Sequence, residues 1–293
     1  MCVNENGLWR GPEALQNLAE IYNQLYLAPG AAGEALYPEV VLKGRPVPEK
    51  DLSHFHTSPE DICGFETTPA GPVRVVTLGD REDFETFIKI MAYRCKDEAI
   101  PRTQGASILD GVINRRRIEE YQRKLVAEGG DAGMMKAFLK DRANYTDGLI
   151  VLSVGPYSNV PAERAGFSED DWLRHSQTIR RYHECTHFVC RRLYKALIDP
   201  VWDELAADAV GIRAALGRYD VCLAETVLGI DGGRYVGGRL ENYLPEDTGI
   251  NALAGRCHGA IGKVAGVSQA CVSDDPFALA IALEEAKGTI WDD

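Results

Sequence analysis

Two histidines four positions apart, with a glutamate directly after the first, are the feature that most constrains this chain. His183, Glu184 and His187 lie in a stretch whose pattern predicts a helix. Because successive helical residues are rotated by about 100°, both imidazoles lie on one face and can converge on one small cation. Glu184 projects to the side, where a carboxylate can reach water on a bound metal without displacing a ligand. The spacing therefore predicts a metal site with its own general base.

Acidic residues that follow the motif strengthen this prediction. With six histidines and 44 acidic residues in 293 positions, about 0.02 chance matches to the motif are expected. Asp199 and Pro200 form a helix-start signal, and Glu204 and Asp208 share one face of the helix that they predict. Glu204 could supply a third ligand, an oxygen atom. Asp208 could accept a hydrogen bond from the ring N–H of a ligating histidine that does not face the metal, and so fix the tautomer of that histidine.

In these two segments the chain resembles the zincin metallopeptidases, and among them the gluzincins. The resemblance covers about residues 172–216 and combines the His-Glu-x-x-His helix with a Glu-x-x-x-Asp segment on the next helix. It implies that His183, His187 and Glu204 bind Zn²⁺, that Glu184 is the general base and that Asp208 is the partner of a ligating histidine. It also implies hydrolysis of a peptide or other amide.

The interval between the two segments is shorter than expected of gluzincins, since only 16 residues separate His187 from Glu204. Two antiparallel helices bring ligands level only if each ligand lies a similar distance from the turn. The first helix should then end near Arg192, with residues 193–198 as the connection. Residues 193–197 are good helix formers, however. If the helix continues to Leu197, Asp208 comes level with His187 and becomes the alternative third ligand.

Composition indicates an ordinary folded protein and excludes some partners. The net charge of −12 gives no footprint for nucleic acid. No apolar run is long enough to span a membrane, and the N-terminus has no basic region followed by an apolar run, so a cytoplasmic protein is expected. The eight cysteines include no Cys-x-x-Cys pair and are expected to be reduced and mostly buried. Cys190 could line the metal site and, less readily, supply a fourth ligand.

The predicted fold class is α+β and zincin-like. A mixed α/β N-terminal region is predicted over residues 1–147 and a mainly helical, metal-binding region over 148–293, with the active-site helix between the α/β and helical parts. The two regions could also form one continuous domain. Residues 30–51 predict an extended connector. Strands are predicted at 73–78 and 149–154, with a strand-like piece around Ile108 and Val112. The strand at 149–154 is either the edge strand that zincins place before the motif helix or a core strand. Helices are predicted at 12–27, 84–94, 116–127, 201–216, 220–228 and 278–286.

Amide hydrolysis through zinc-activated water needs a donor that stabilises the developing oxyanion. His258 and Tyr243 are the residues assigned to this catalytic role, and Tyr235 and Arg239 are further candidates, all downstream of Glu204. None has a discriminating spacing. The two histidines at 54 and 56 are interpreted as loop or surface residues because no acidic cluster accompanies them in the sequence.

Three functions remain open at this point. The first is a zinc-dependent hydrolase, most directly a metallopeptidase, that acts on a peptide or other amide and has no nucleic-acid or membrane partner. The second is a non-catalytic, metal-stabilised binding or regulatory protein whose site is closed. The third has no metal, and the motif helix serves a partner-binding surface.

Overall fold

The computed structural model describes residues 7–194 and 199–291, which divide into two compact units. The first unit comprises the described residues up to Glu66 and Val73–Ser153, and the second comprises Thr67–Pro72 and the described chain from Val154. The division along the chain falls after Ser153, a few residues beyond the predicted boundary at 147, because the intervening residues form a strand of the sheet. The architecture is α+β, with a mainly helical second unit.

The first unit contains a five-stranded sheet, whose strands are β1 Trp9–Arg10, β2 Ile62–Thr68, β3 Gly71–Leu78, β4 Ala106–Ile113 and β5 Thr146–Ser153. Their order across the sheet is β1-β2-β3-β5-β4. β5 runs parallel to β3 and antiparallel to β4, so it lies inside the sheet. The expectation of an edge strand at 149–154 is therefore wrong, and the alternative of a core strand is confirmed.

The composition of β5 fits burial of both faces of the strand. Leu149, Ile150, Val151 and Leu152 are all buried. A strand covered on both faces carries a continuous apolar run, whereas a strand with one solvent-exposed face alternates apolar and polar residues. The run at 149–152 therefore agrees with a strand whose two faces are both packed.

Helices of the first unit differ from prediction in three places. The helix Ala132–Lys140 was not predicted. The helix predicted at 12–27 ends at Ile21 and is followed by a 3₁₀ turn, Asn23–Tyr26. The connector predicted at 30–51 is partly helical, since it contains α2 and a π-helical turn, Pro38–Leu42. Gly33 lies inside α2, where an added Cβ would be 2.0 Å from the Ala28 carbonyl oxygen, so this glycine permits close packing. The helices are α1 Pro12–Ile21, α2 Ala31–Tyr37, α3 Arg81–Met91, α4 Arg115–Glu128 and α5 Ala132–Lys140.

The second unit packs its helices around a core that includes Trp172, Trp202 and Ile261. A short antiparallel pair, β6 Ile230–Asp231 and β7 Arg234–Tyr235, lies between two of these helices in the chain. The helices are α6 Ala162–Ala165, α7 Glu169–Leu193, α8 Pro200–Leu216, α9 Val221–Leu228, α10 Ile250–Ala270 and α11 Pro276–Ile290.

Helices α7 and α8 carry the metal-site motif, and their ends follow from their capping residues. The Ser168 side chain caps the start of α7, and the Asp199 side chain accepts hydrogen bonds from the first N–H groups of α8. α7 ends at Leu193, which confirms the predicted end near Arg192; residues 195–198 of the predicted connection lie outside the described residues. The alternative register, in which the helix continues to Leu197, falls partly on these residues.

The two helices are antiparallel and touch closely. An added Cβ at Gly211 of α8 would lie 2.6 Å from the backbone oxygen of Ile179 on α7. Further toward the end of α7, His183 faces Asp208. Because the contacting positions rise along α7 as they fall along α8, the helices run in opposite directions. The contact at Gly211 therefore sets the register in which the motif residues meet.

The cysteines that the structure describes are thiols, most of them buried, as predicted: Cys63, Cys95, Cys185, Cys190 and Cys257 are buried, Cys271 is partly buried and Cys222 is exposed. Cys2 lies outside the described residues. Within the described ranges, no helix has both the length and the apolar character needed to cross a bilayer.

Substituting Gly211 tests the helix contact. Gly211→Ala should lower the free energy of unfolding by about 1–3 kcal/mol, because the new methyl group would push the two helix backbones apart. Urea unfolding followed by circular dichroism measures this change. The matched control is Gly259→Ala on α10, where an added Cβ meets nothing within 4 Å; it should leave stability unchanged or raise it by up to about 1 kcal/mol. Equal effects of the two substitutions would contradict the close contact.

Candidate metal centre

Three donor groups from α7 and α8 converge in the second unit. The Nε2 atoms of His183 and His187 are 2.9 Å apart, and each lies 3.4 Å from a carboxylate oxygen of Glu204. One ligand atom from each residue can be chosen so that all three lie within 4.8 Å of one another. His183 and His187 are only 4% and 5% exposed. The three residues predicted as ligands therefore form a group that could hold a metal ion.

The outer nitrogen of His183 is held by two buried groups. Its Nδ1 lies 3.0 Å from Asp208 Oδ1 and 2.8 Å from the hydroxyl of Tyr157, which itself donates to Asp208 over 2.6 Å. Since the carboxylate carries no proton, the hydroxyl proton goes to Asp208 and the contact from the ring requires a proton on Nδ1. Neutral His183 consequently presents a bare lone pair at Nε2, as a metal ligand must.

Asp203 lies beside the outer nitrogen of His187. Its Oδ2 is 2.8 Å from Nδ1 of His187, in a geometry that is poorly aligned for a hydrogen bond. Burial alone would lower the pKa of His187, but the adjacent Asp203 and Glu204 carboxylates outweigh it and raise this pKa to about 10. The two carboxylates therefore draw positive charge to this imidazole, in the form of a proton or a metal ion.

Arg239 adds a permanent positive charge on the other side of the group. Its Nη1 lies 3.2 Å from Glu204 Oε2, and its Nη2 donates to Asp208 Oδ2. Burial would raise the pKa of Asp208, but Arg239 and His183 hold it below its usual value. Burial likewise opposes ionisation of Glu204, yet His183, His187 and Arg239 keep its pKa well below normal. Both acids are therefore carboxylates at neutral pH.

Two observations show that the donor group suits a cation. Bare lone pairs on two nitrogens 2.9 Å apart would repel, so the contact between His183 and His187 requires either a hydrogen atom or a cation between them. Oε2 of Glu204 is buried and has no aligned hydrogen-bond partner among the described residues, although Arg239 is nearby. A buried oxygen without a partner is costly unless a ligand uses it.

Glu184 lies on the same helix, directly after the first ligand. Its side chain is partly buried, and among the described residues it makes no hydrogen bond or ion pair. Its oxygens are therefore available to accept a hydrogen bond from water. The general-base role that the motif predicts for Glu184 stays a prediction.

The donors predicted downstream of Glu204 are placed differently from one another. The Tyr243 hydroxyl interacts with the Glu204 carboxylate, and burial together with this carboxylate raises the pKa of Tyr243. His258 is half exposed and pairs with Glu225, and the described contacts do not bring it to the metal group. Tyr235 is bonded to Gly238 and Glu241. Tyr243 and Arg239 are thus the predicted donors that contact the centre.

Sequence reasoning missed Tyr157 and Asp203. Tyr157 lies 26 positions before His183 and carries no motif, so no local spacing indicates that it contacts the ring. Asp203 directly precedes Glu204, and its acidic neighbour was the only available signal. Cys190 is buried on α7 but does not belong to the ligand group. The negative charge of Asp203 contributes to raising the pKa of the Cys190 thiol, which burial raises most.

A second cluster of possible ligands lies at one of the paired histidines, both of which lie in a loop as interpreted from the sequence. His56 Nδ1 lies 3.6 Å from Asp80 and 3.9 Å from Asp83, so acids absent from the local sequence do accompany it. Both acids already have structural roles. Asp83 accepts the backbone N–H groups of His56 and Thr57, and Asp80 caps α3. His54 bonds to the Leu25 carbonyl oxygen.

Comparison with known families places the chain but does not name an activity. A family of unknown function, DUF7005, matches residues 13–265. The chain belongs to the DUF7005 family. No curated protein and no solved structure matches it. For this DUF7005 protein, the likeness to zincins accordingly rests on the motif and on the geometry of the three donors.

Removing the Tyr157 hydroxyl tests how His183 is held. Tyr157→Phe should weaken the binding of a divalent metal ion by about tenfold, because the contact that helps to fix the ring and its Nδ1 proton is lost. Competition with a chromophoric chelator measures the affinity. The matched control is Tyr26→Phe, which removes a hydroxyl bonded to Glu20 in the first unit of this DUF7005 protein. Unchanged affinity in folded Tyr157→Phe would contradict the role given to Tyr157.

Proposed function

We propose that this protein is a zinc-dependent hydrolase that cleaves an amide bond, most directly a peptide bond. One observation carries the proposal. The Nε2 atoms of His183 and His187 and the carboxylate of Glu204 converge, and the Nδ1 atoms of both rings face carboxylates. Glu184, with a carboxylate that has no partner among the described residues, follows the first ligand directly. This combination serves catalysis and is not needed by a core helix.

The donor set and its dimensions favour zinc. Zn²⁺ accepts imidazole nitrogen and carboxylate oxygen, and tetrahedral bonds of about 2.0–2.1 Å place ligand atoms about 3.3–3.4 Å apart. Both nitrogen-to-oxygen separations in the group are 3.4 Å. The separation of 2.9 Å between the two imidazole nitrogens would open by about 0.4 Å. A small side-chain adjustment therefore suffices.

Several residues of the chain have separate roles in the proposed hydrolysis. Zinc, when bound, would supply a Lewis acid and lower the pKa of a water molecule. Glu184 accepts a proton from the attacking water and delivers it to the nitrogen of the leaving amine. Asp208 and Asp203 keep the Nδ1 protons in place. Tyr243, whose hydroxyl interacts with the Glu204 carboxylate, is the proposed donor to the developing oxyanion.

A non-catalytic, metal-stabilised protein is the second candidate. The burial of His183 and His187 favours it, since both are at most 5% exposed. Structural zinc sites are closed by four protein ligands, whereas catalytic sites leave one position for water. The two candidates therefore predict the same metal content and differ in whether Glu184 is essential for a reaction.

Glu184→Gln separates the two candidates. The variant should retain about one equivalent of zinc, because Glu184 is not a ligand, and should lose amide hydrolysis by at least about a hundredfold. Zinc content is measured by elemental analysis, and hydrolysis by mass spectrometry of new termini in a peptide mixture. The control is Glu285→Gln, which neutralises an exposed glutamate on α11. Full activity in Glu184→Gln would remove Glu184 from the mechanism, and a wild type without hydrolysis would favour the structural candidate.

His187→Ala tests the ligand assignment. The variant should lose both zinc and activity, because two protein ligands hold zinc poorly. The control, His175→Ala, removes a histidine of the same helix whose ring packs against Phe167; it should keep both properties. Elemental analysis after gel filtration gives the zinc content. Zinc below a small fraction of one equivalent in the wild type would overturn the metal centre itself.

A further inference from the structure

The described structure places a guanidinium beside the proposed ligand group. The side chain of Arg239 is 15% exposed and bridges Glu204, a proposed ligand, and Asp208, which holds His183. It also lies over the ring of Tyr157, with 5.2 Å between the guanidinium carbon and the ring centroid. Arginine beside a proposed cation ligand is unexpected, since like charges repel. A function for this charge therefore has to be found.

Backbone contacts fix the start of the segment that carries Arg239. A Cβ added at Gly238 would lie 2.7 Å from the Cα atom of Gly229, so only hydrogen fits between these two chains. The Tyr235 hydroxyl accepts from the Gly238 N–H and donates to Glu241. The residue before Arg239 is thus held on two sides. The backbone before Arg239 is therefore fixed, and the ion pairs with Glu204 and Asp208 hold the guanidinium itself.

The formal charges around the group explain what the arginine does. Asp203, Glu204 and Asp208 contribute three negative charges, and Arg239 contributes one positive charge. With both imidazoles neutral, these four groups sum to −2, and without Arg239 the sum would be −3. The arginine therefore offsets one of the three negative charges that attract a divalent ion.

We propose that Arg239 is an internal counter-cation that weakens divalent-metal binding at His183, His187 and Glu204 by offsetting one of the carboxylate charges around them. The proposal rests on the metal centre of the proposed function. At separations of a few ångströms, repulsion between a guanidinium and a divalent ion remains substantial even at an effective dielectric constant of about 20. Loss of the charge should consequently tighten binding.

Zinc affinity in charge variants tests the proposal. Arg239→Gln removes the charge and keeps an N–H donor for Asp208, and it should bind Zn²⁺ at least about tenfold more tightly than the wild type. Arg239→Lys keeps the charge and should stay within about threefold. The matched control is Arg234→Gln, which removes an exposed arginine from β7 in the same segment and should leave affinity unchanged. Competition with a chromophoric chelator measures all four proteins.

Several outcomes would overturn the counter-cation. These are equal or weaker binding by folded Arg239→Gln, or equal tightening by Arg234→Gln. If Arg239→Gln does not fold alone, refolding with zinc should restore its circular dichroism spectrum, because the ion replaces the lost positive charge; failure to restore it would also overturn the proposal. Absence of zinc binding by the wild type would instead contradict the proposed metal site and, with it, this inference. Failure of the inference alone leaves wild-type zinc binding intact.

Discussion

The contact between α7 and α8 at Gly211 is the constraint on which the candidate metal centre depends. Helix backbones approach this closely only where a side chain is missing, and at Gly211 the missing Cβ would be 2.6 Å from the Ile179 oxygen. The antiparallel register set there continues along both helices, so that His183 meets Asp208 and His187 meets Asp203 and Glu204. A shift of one helical turn would separate each imidazole from its acid.

Electrostatics add a second layer to this arrangement. Glu204 and Asp208 repel each other in a poorly solvated site, and their pKa values stay low because His183 and Arg239 lie beside them. Asp208 and Asp203 face the Nδ1 atoms of the two histidines. Buried polar groups are thus satisfied mainly by one another. Glu204 Oε2, which has no aligned partner among the described residues, is the position where the network is incomplete.

Local spacing made the centre largely predictable, and long-range contacts explain what was missed. The relation between His183 and His187 is helical, and the distance from Asp199 to Glu204 sets the level of the third ligand, so a few local rules sufficed. Tyr157 and Asp203 contact the rings only after the helices pack. In the fold, α10 was missed because its glycines weaken the helical pattern, and the interior position of β5 depends on strand partners that no local pattern specifies. The zincin fold itself stays a prediction.

The close approach of Gly229 and Gly238 has a consequence for ligand recognition. Glycine usually adds conformational freedom, but here the two backbones leave almost none. The chain leading into Arg239 is thus ordered when the protein folds. A molecule that enters the site consequently meets a charge that is already positioned, and its binding free energy is not reduced by the entropy of ordering that arginine.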